Sequence, residues 1–70
     1  MVGAMTVVLN GEQREIREGM TVAELVTELG LGTRRIAVEV NRAIIPRDEY
    51  ATCRLRAGDH VEIVHFVGGG

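Results

Sequence analysis

Hydrophobic and polar positions along this chain follow two periods, and the places where the period changes divide it into short elements. Met5-Thr6-Val7-Val8-Leu9 is a β-branched, apolar run that stops at Asn10-Gly11. Both residues of that dipeptide accept the positive φ angles of a two-residue hairpin turn. Glu12 to Ile16 returns as a second strand with Gln13 and Glu15 on one face, which predicts an edge strand with one side in water. Glu18-Gly19 is the next turn. From Thr21 the period is helical: Val22, Leu25, Val26 and Leu29 fall at i, i+3, i+4 and i+7, while Glu24, Thr27 and Glu28 face water. Thr21-Val22-Ala23-Glu24 is a capping box, in which hydroxyl and carboxylate satisfy exposed backbone amides reciprocally. Gly30 suits the C-terminal cap.

After the loop Leu31 to Arg35, the run Ile36-Ala37-Val38-Glu39-Val40 is nearly all apolar and predicts a central strand. Asn41-Arg42 turns the chain into Ala43-Ile44-Ile45, which Pro46 ends by removing a ladder donor. Arg47 to Tyr50 reads as a single helical turn, Thr52-Cys53-Arg54-Leu55 as a brief edge strand and Ala57-Gly58-Asp59 as a turn. His60 to Val67 is the final strand. Alternation puts Val61 and Ile63 on one face and Glu62, Val64 and Phe66 on the other. Two arrangements stand: either Val64 and Phe66 form an exposed apolar patch, or both faces are buried and Phe66 is core.

That strand runs directly into Gly68-Gly69-Gly70. Residues without Cβ adopt backbone angles closed to others and enter channels too narrow for a branched side chain. Extended, the three reach about 10 Å past the strand. A frayed end or a linker is the ordinary reading of terminal glycines. Here no serine-rich or polar transition separates them from a core-like strand, and Gly70 presents a carboxylate.

Size and charge narrow the classes of function. Seventy residues make one domain, and at this length only about 60% of the unfolded chain's surface is buried, too little to frame a deep two-lobed cleft. The chain is 46% hydrophobic and 26% charged with net charge −2. No apolar stretch approaches the roughly 20 residues that cross a bilayer, and Met1 to Met5 lacks the features of a signal peptide. The expectation is a cytoplasmic protein with no membrane contact, monomeric when free. Ten acids outnumber eight scattered arginines, and Tyr50 and Phe66 are the only aromatics. No nucleic-acid footprint follows from that pattern. One cysteine and two histidines give neither an internal disulfide nor metal-ligand spacing. The absence of lysine reads as coding bias.

The remaining candidates each have a plain structural reading beside the chemical one. Cys53 is a thiol for capturing an activated tail or, more in keeping with its surroundings, a structural residue, since no histidine or helix terminus lies near it in sequence. His60 and His65 suggest a base pair for catalysis, but neither has an evident nucleophile. His65 fits better as a residue packed near the tail that contacts a partner. Arg34-Arg35 is a phosphate contact or a solvated loop. Arg42 and Arg47 are candidates for pairing with acidic partner surfaces.

Several segments together resemble a known family. They are Val8-Leu9-Asn10-Gly11, Thr21-Val22-Ala23-Glu24-Leu25, Val38-Glu39-Val40-Asn41-Arg42, Ile44-Ile45-Pro46-Arg47, Gly58-Asp59 and Val61 to Gly70. A hairpin, one helix and a last strand entering Gly-Gly resemble the β-grasp fold of ubiquitin-like proteins, an α+β class with a mixed sheet of four to five strands over one main helix. Within it, the chain looks like the ThiS family of sulfur carriers for thiamine thiazole synthesis. Residues 1–4 then read as an N-terminal extension, 5–67 as the β-grasp domain and 68–70 as a flexible glycine tail. The resemblance implies a carrier with no catalytic residues and no bound cofactor. Gly70 is adenylated with ATP by a ThiF-like adenylyltransferase, and sulfur from a persulfide donor, such as a cysteine desulfurase, makes a thiocarboxylate that serves thiazole synthase (ThiG). It implies Gly68 and Gly69 as the tail and Val64, His65, Phe66 and Val67 as the partner-binding residues. The same Gly-Gly ending also suits a molybdopterin carrier or a ubiquitin-like modifier, and a non-covalent β-grasp interaction module is the fourth reading.

Overall fold

Asn10 and Gly11, at φ 50° and 83°, form the first hairpin turn. It joins β1 (Ala4–Leu9) to β2 (Glu12–Arg17), paired antiparallel from Ala4 opposite Arg17 to Leu9 opposite Glu12. The computed structural model describes residues 3–32 and 35–66. Along the chain then come α1 (Val22–Glu28), β3 (Ile36–Val40), β4 (Ala43–Ile45), a 3-10 turn (Arg47–Glu49) and β5 (His60–His65). The strand order is β2-β1-β5-β3-β4, with β1 and β5 parallel and the other neighbours antiparallel. The α+β class, the mixed five-stranded sheet and the single main helix are as the sequence predicts.

The helix begins where its capping box puts it. The Thr21 hydroxyl accepts from the Glu24 N–H at 3.1 Å and the Glu24 carboxylate accepts from the Thr21 N–H at 2.9 Å, closing the box. The next two orphan donors go elsewhere: Val22 N–H to the Cys53 carbonyl and Ala23 N–H to the Tyr50 carbonyl, both at 2.9 Å. At the other end Leu29 is the cap residue, one position before the expected Gly30. Gly30, at φ 74°, follows it, and its N–H bonds Thr27 while Leu31 N–H bonds Val26. That pair of bonds is a Schellman motif, which needs a residue at ease with positive φ at this position.

Val22, Leu25 and Val26 are buried and Leu29 partly so, against Val7 of β1, Val38 of β3 and Val61 of β5. Those inward side chains recur at every second residue, as a half-buried sheet requires. On β2 only Ile16 is buried, so the edge position and solvated face hold. Met20, Tyr50 and Leu55 complete the core from the loops.

Four expectations need correction. Thr52 to Leu55 is no strand. Its backbone is committed to the helix start, through the Cys53 carbonyl above and through Leu55 N–H to the Met20 carbonyl at 2.8 Å, and only an isolated bridge joins Thr21 and Arg54. β3 is interior, but the middle of the sheet belongs to β5, which has β1 on one side and β3 on the other. β5 ends at His65, so Phe66 lies just outside it, and β1 starts at Ala4, one residue ahead of the expected Met5. No helix among the described residues is long and apolar enough to cross a membrane.

Candidate functional site

β5 is held by two asparagines that the turns place on either side of it. Asn10 and Asn41 both have φ near the left-handed minimum, 50° and 52°, a region asparagine tolerates better than most residues. Bent back this way, each amide reaches the β5 backbone. Asn10 accepts from the Ile63 N–H at 2.8 Å and donates to the Ile63 carbonyl at 3.2 Å. Asn41 accepts from the His60 N–H at 3.0 Å and donates to the Asp59 carboxylate at 3.0 Å. From the sequence alone these residues read only as turn formers. The signal was the pairing of two asparagines at hairpin tips, each able to act as a spare peptide group.

From Ile63 onward β5 changes character. Val64 and Phe66 are 54% and 58% exposed, which decides between the two arrangements left open by alternation: the patch is in solvent. Ala37 lies beside Val64 on the same face, and Ile44, 72% exposed, stands opposite Glu39 on the neighbouring rung. The outer face therefore carries apolar residues toward the end of β5 and a directly opposed pair of acids, Glu39 and Glu62, before it. His65 is exposed, with Ile36 as its cross-strand partner. Phe66 N–H donates to the Arg35 carbonyl at 2.7 Å, the last described link between this segment and the sheet. Val67, Gly68, Gly69 and Gly70 lie outside the described residues.

The other candidates do not converge on this place. His60 and His65 are five residues apart on one strand, a rise of about 16 Å, so they form no base pair. His60 borders a groove with Val8, Glu39, Arg42 and Glu62, a wall without a nucleophile. Cys53 is half-buried, and burial first, then Asp59 and Glu49, raise its thiol pKa. A group held in the thiol form is a poor nucleophile. It also sits against the start of α1 and near Asp59, just ahead of β5, whereas the glycines follow the other end of that strand. Arg42 occupies the β3–β4 turn and Arg47 the 3-10 turn, both exposed, and Arg34 lies outside the described residues. Among the described residues no group of three or more His, Cys, Asp or Glu is placed to hold a metal ion.

Comparison with known proteins bears on what such a site is for. The profile of the ThiS family matches residues 7–70. A thiazole synthase of Paramagnetospirillum magneticum is 47% identical over 66 residues, which cover 94% of this chain and 20% of that protein. A second thiazole synthase, from Magnetococcus marinus, is 39% identical with the same coverage; the chain thus spans about a fifth of the length of these two relatives. The sulfur carrier protein ThiS of Bacillus subtilis is 36% identical over 63 residues, covering 89% of this chain and 96% of the carrier. The crystal structure of the thiamine biosynthesis protein ThiS from Geobacter metallireducens superposes with a TM-score of 0.81 at 29% identity, over 94% of this chain and all of that one.

Proposed function

The chain belongs to the ThiS family, and from that premise we propose that it carries sulfur on the carboxylate of Gly70 for formation of the thiamine thiazole. An α-carboxylate is ionised at neutral pH and is a poor electrophile. A ThiF-like adenylyltransferase activates it: the carboxylate oxygen attacks the α-phosphorus of ATP, pyrophosphate leaves, and Gly70 becomes an acyl-adenylate. The terminal sulfur of a persulfide, supplied by a cysteine desulfurase or another donor, attacks the acyl carbon and displaces AMP. A thiol then cleaves the sulfur–sulfur bond and leaves the thiocarboxylate, which thiazole synthase consumes. In this scheme the chain is a substrate that turns over, and its partners supply the catalytic groups.

The observation that carries this reading is the change at Ile63. Up to that residue β5 is the central strand, bonded on both sides. Beyond it Val64 and Phe66 stand in solvent and the sequence runs into three glycines. An anchored strand, a docking patch and a slim end are the parts a carrier needs, in that order.

Intact mass measurement of the untagged chain after incubation with ATP, a ThiF-like enzyme and a persulfide donor tests it. A mass gain equal to exchange of one oxygen for sulfur, localised to Gly70, is the expected result. Absence of both adenylate and thiocarboxylate, with an enzyme shown to act on its own carrier, would sink the reading. Val64→Ser with Phe66→Ser should raise KM for the adenylating step about tenfold or more while leaving Tm nearly unchanged, since exposed side chains contribute little to stability.

A further inference from the structure

The two sides of β5 are covered unequally. Asn41 N–H donates to the His60 carbonyl and Phe66 N–H to the Arg35 carbonyl, both at 2.7 Å. With Ile36 opposite His65, these bonds set the parity of the ladder: main-chain groups of His60, Glu62, Val64 and Phe66 face β3, and those of Val61, Ile63 and His65 face β1. β1 reaches only the first two. Asn10 N–H donates to the Val61 carbonyl at 2.8 Å, and the Asn10 side chain takes both polar groups of Ile63. The chain then turns away at Gly11, and the N–H and C=O of His65 have no partner among the described residues.

Strand edges left open in this way template pairing with other chains, and proteins guard them with charge, proline or brevity. The two outer edges of this sheet are guarded. β2 reads Glu12-Gln13-Arg14-Glu15-Ile16-Arg17, and β4 has three residues and stops at Pro46. The His65 edge is a single residue among the described ones, and in place of charge or proline its flanks are the exposed apolar Val64 and Phe66.

On the reading that Gly70 carries the sulfur, on which this inference rests, an acceptor enzyme has little room. Residues 67–70 span at most about 14 Å when extended, so a surface that receives Gly70 also covers Val64 to Phe66. In the Paramagnetospirillum magneticum relative the matching stretch lies within a protein named thiazole synthase, which favours the synthase as the occupant. We propose that an extended segment of the thiazole synthase adds to β5 beside His65, taking the place that β1 vacates after Asn10. Its main chain bonds the His65 N–H and C=O, and its side chains pack on Val64 and Phe66, the strand-addition mode of peptide recognition.

A chain assembled by ligation with an N-methylated His65 tests this, because the methyl group fills the open edge and breaks no internal hydrogen bond. Calorimetric titration into thiazole synthase should show binding weakened about tenfold or more, the equivalent of at least one main-chain hydrogen bond, with Tm unchanged. Binding within twofold of the unmodified chain overturns strand addition, as does failure of the unmodified chain to bind. Amide exchange gives a second readout that needs no variant. The His65 amide should exchange fast in the free chain, unlike those of Ile63 and Phe66, and slow about tenfold or more when the synthase is saturating; an unchanged rate overturns the proposal. Thiocarboxylate formation on the unmodified chain, followed by mass, is scored separately. If it fails, the carrier reading falls; if it succeeds while N-methylation leaves binding intact, strand addition alone falls.

Discussion

Asn10 does two jobs that a substitution series separates. Its backbone sits at φ 50° and its amide bonds Ile63 twice. Asn10→Gly keeps a residue at ease in the turn and removes only the amide, so equilibrium denaturation should show a loss of about 1–2 kcal/mol. Asn10→Ala adds backbone strain to the same loss and should cost about 1 kcal/mol more. The reverse case is Arg42, a residue with a Cβ held at φ 71°, whose side chain makes no hydrogen bond among the described residues to offset the strain. Arg42→Gly should therefore stabilise the fold by about 0.5–1 kcal/mol in the same denaturation experiment. A loss instead would mean that the arginine is held there by a contact of its own.

At the scale of the element, α1 stands on its cap. Thr21→Ala removes the hydroxyl that accepts from Glu24 N–H and should cost about 1 kcal/mol by denaturation. Glu24 has its pKa lowered, first by the Thr21 backbone N–H and then by the side chain of Arg17, whose guanidinium lies 2.9 Å away. The folded value is below the unfolded one, so the stabilisation is present above the unfolded carboxylate pKa and is lost as pH falls through the folded one. The difference in Tm between the native chain and Glu24→Gln should thus be largest near neutrality and vanish in acid. A difference that persists at pH 2 would contradict this. The helix, both hairpins and the 3-10 turn were legible in the sequence because their causes are local: Asn10-Gly11, the capping box, Asn41-Arg42 and Pro46 each dictate geometry within four residues. Thr52 to Leu55 was misread because its backbone answers to a distant need, the unsatisfied amides at the start of α1. The exposed Val64 and Phe66 were legible as one of two arrangements, and alternation alone lacks the information to choose, since facing is settled by what α1 covers. The asparagine grips on β5 were missed for the same reason: their partners are 53 and 19 residues away in sequence.

Across the whole molecule, stability and the proposed sulfur chemistry draw on different parts of the chain. Leu25, Val7, Val38 and Val61 are fully buried at the meeting of α1 and the sheet. Leu25→Ala should cost about 2–5 kcal/mol, much of the reserve of a domain this small, and be seen as a lowered denaturation midpoint. Addition of one alanine after Gly70 should do the opposite, leaving the midpoint unchanged and abolishing formation of the thiocarboxylate measured by mass. A chain that still gains sulfur with that extra residue would exclude Gly70 as the reacting end.

The placement of β5 between a parallel and an antiparallel neighbour has a mechanical consequence. Force applied at the C-terminal end runs along the strand axis, so the ladders to β1 and β3 are loaded in shear, with their hydrogen bonds sharing the tension instead of opening one at a time. A motor that threads polypeptides from the C-terminal end would meet its greatest resistance at the first step. Traction through either hairpin tip would unzip the same sheet far more easily.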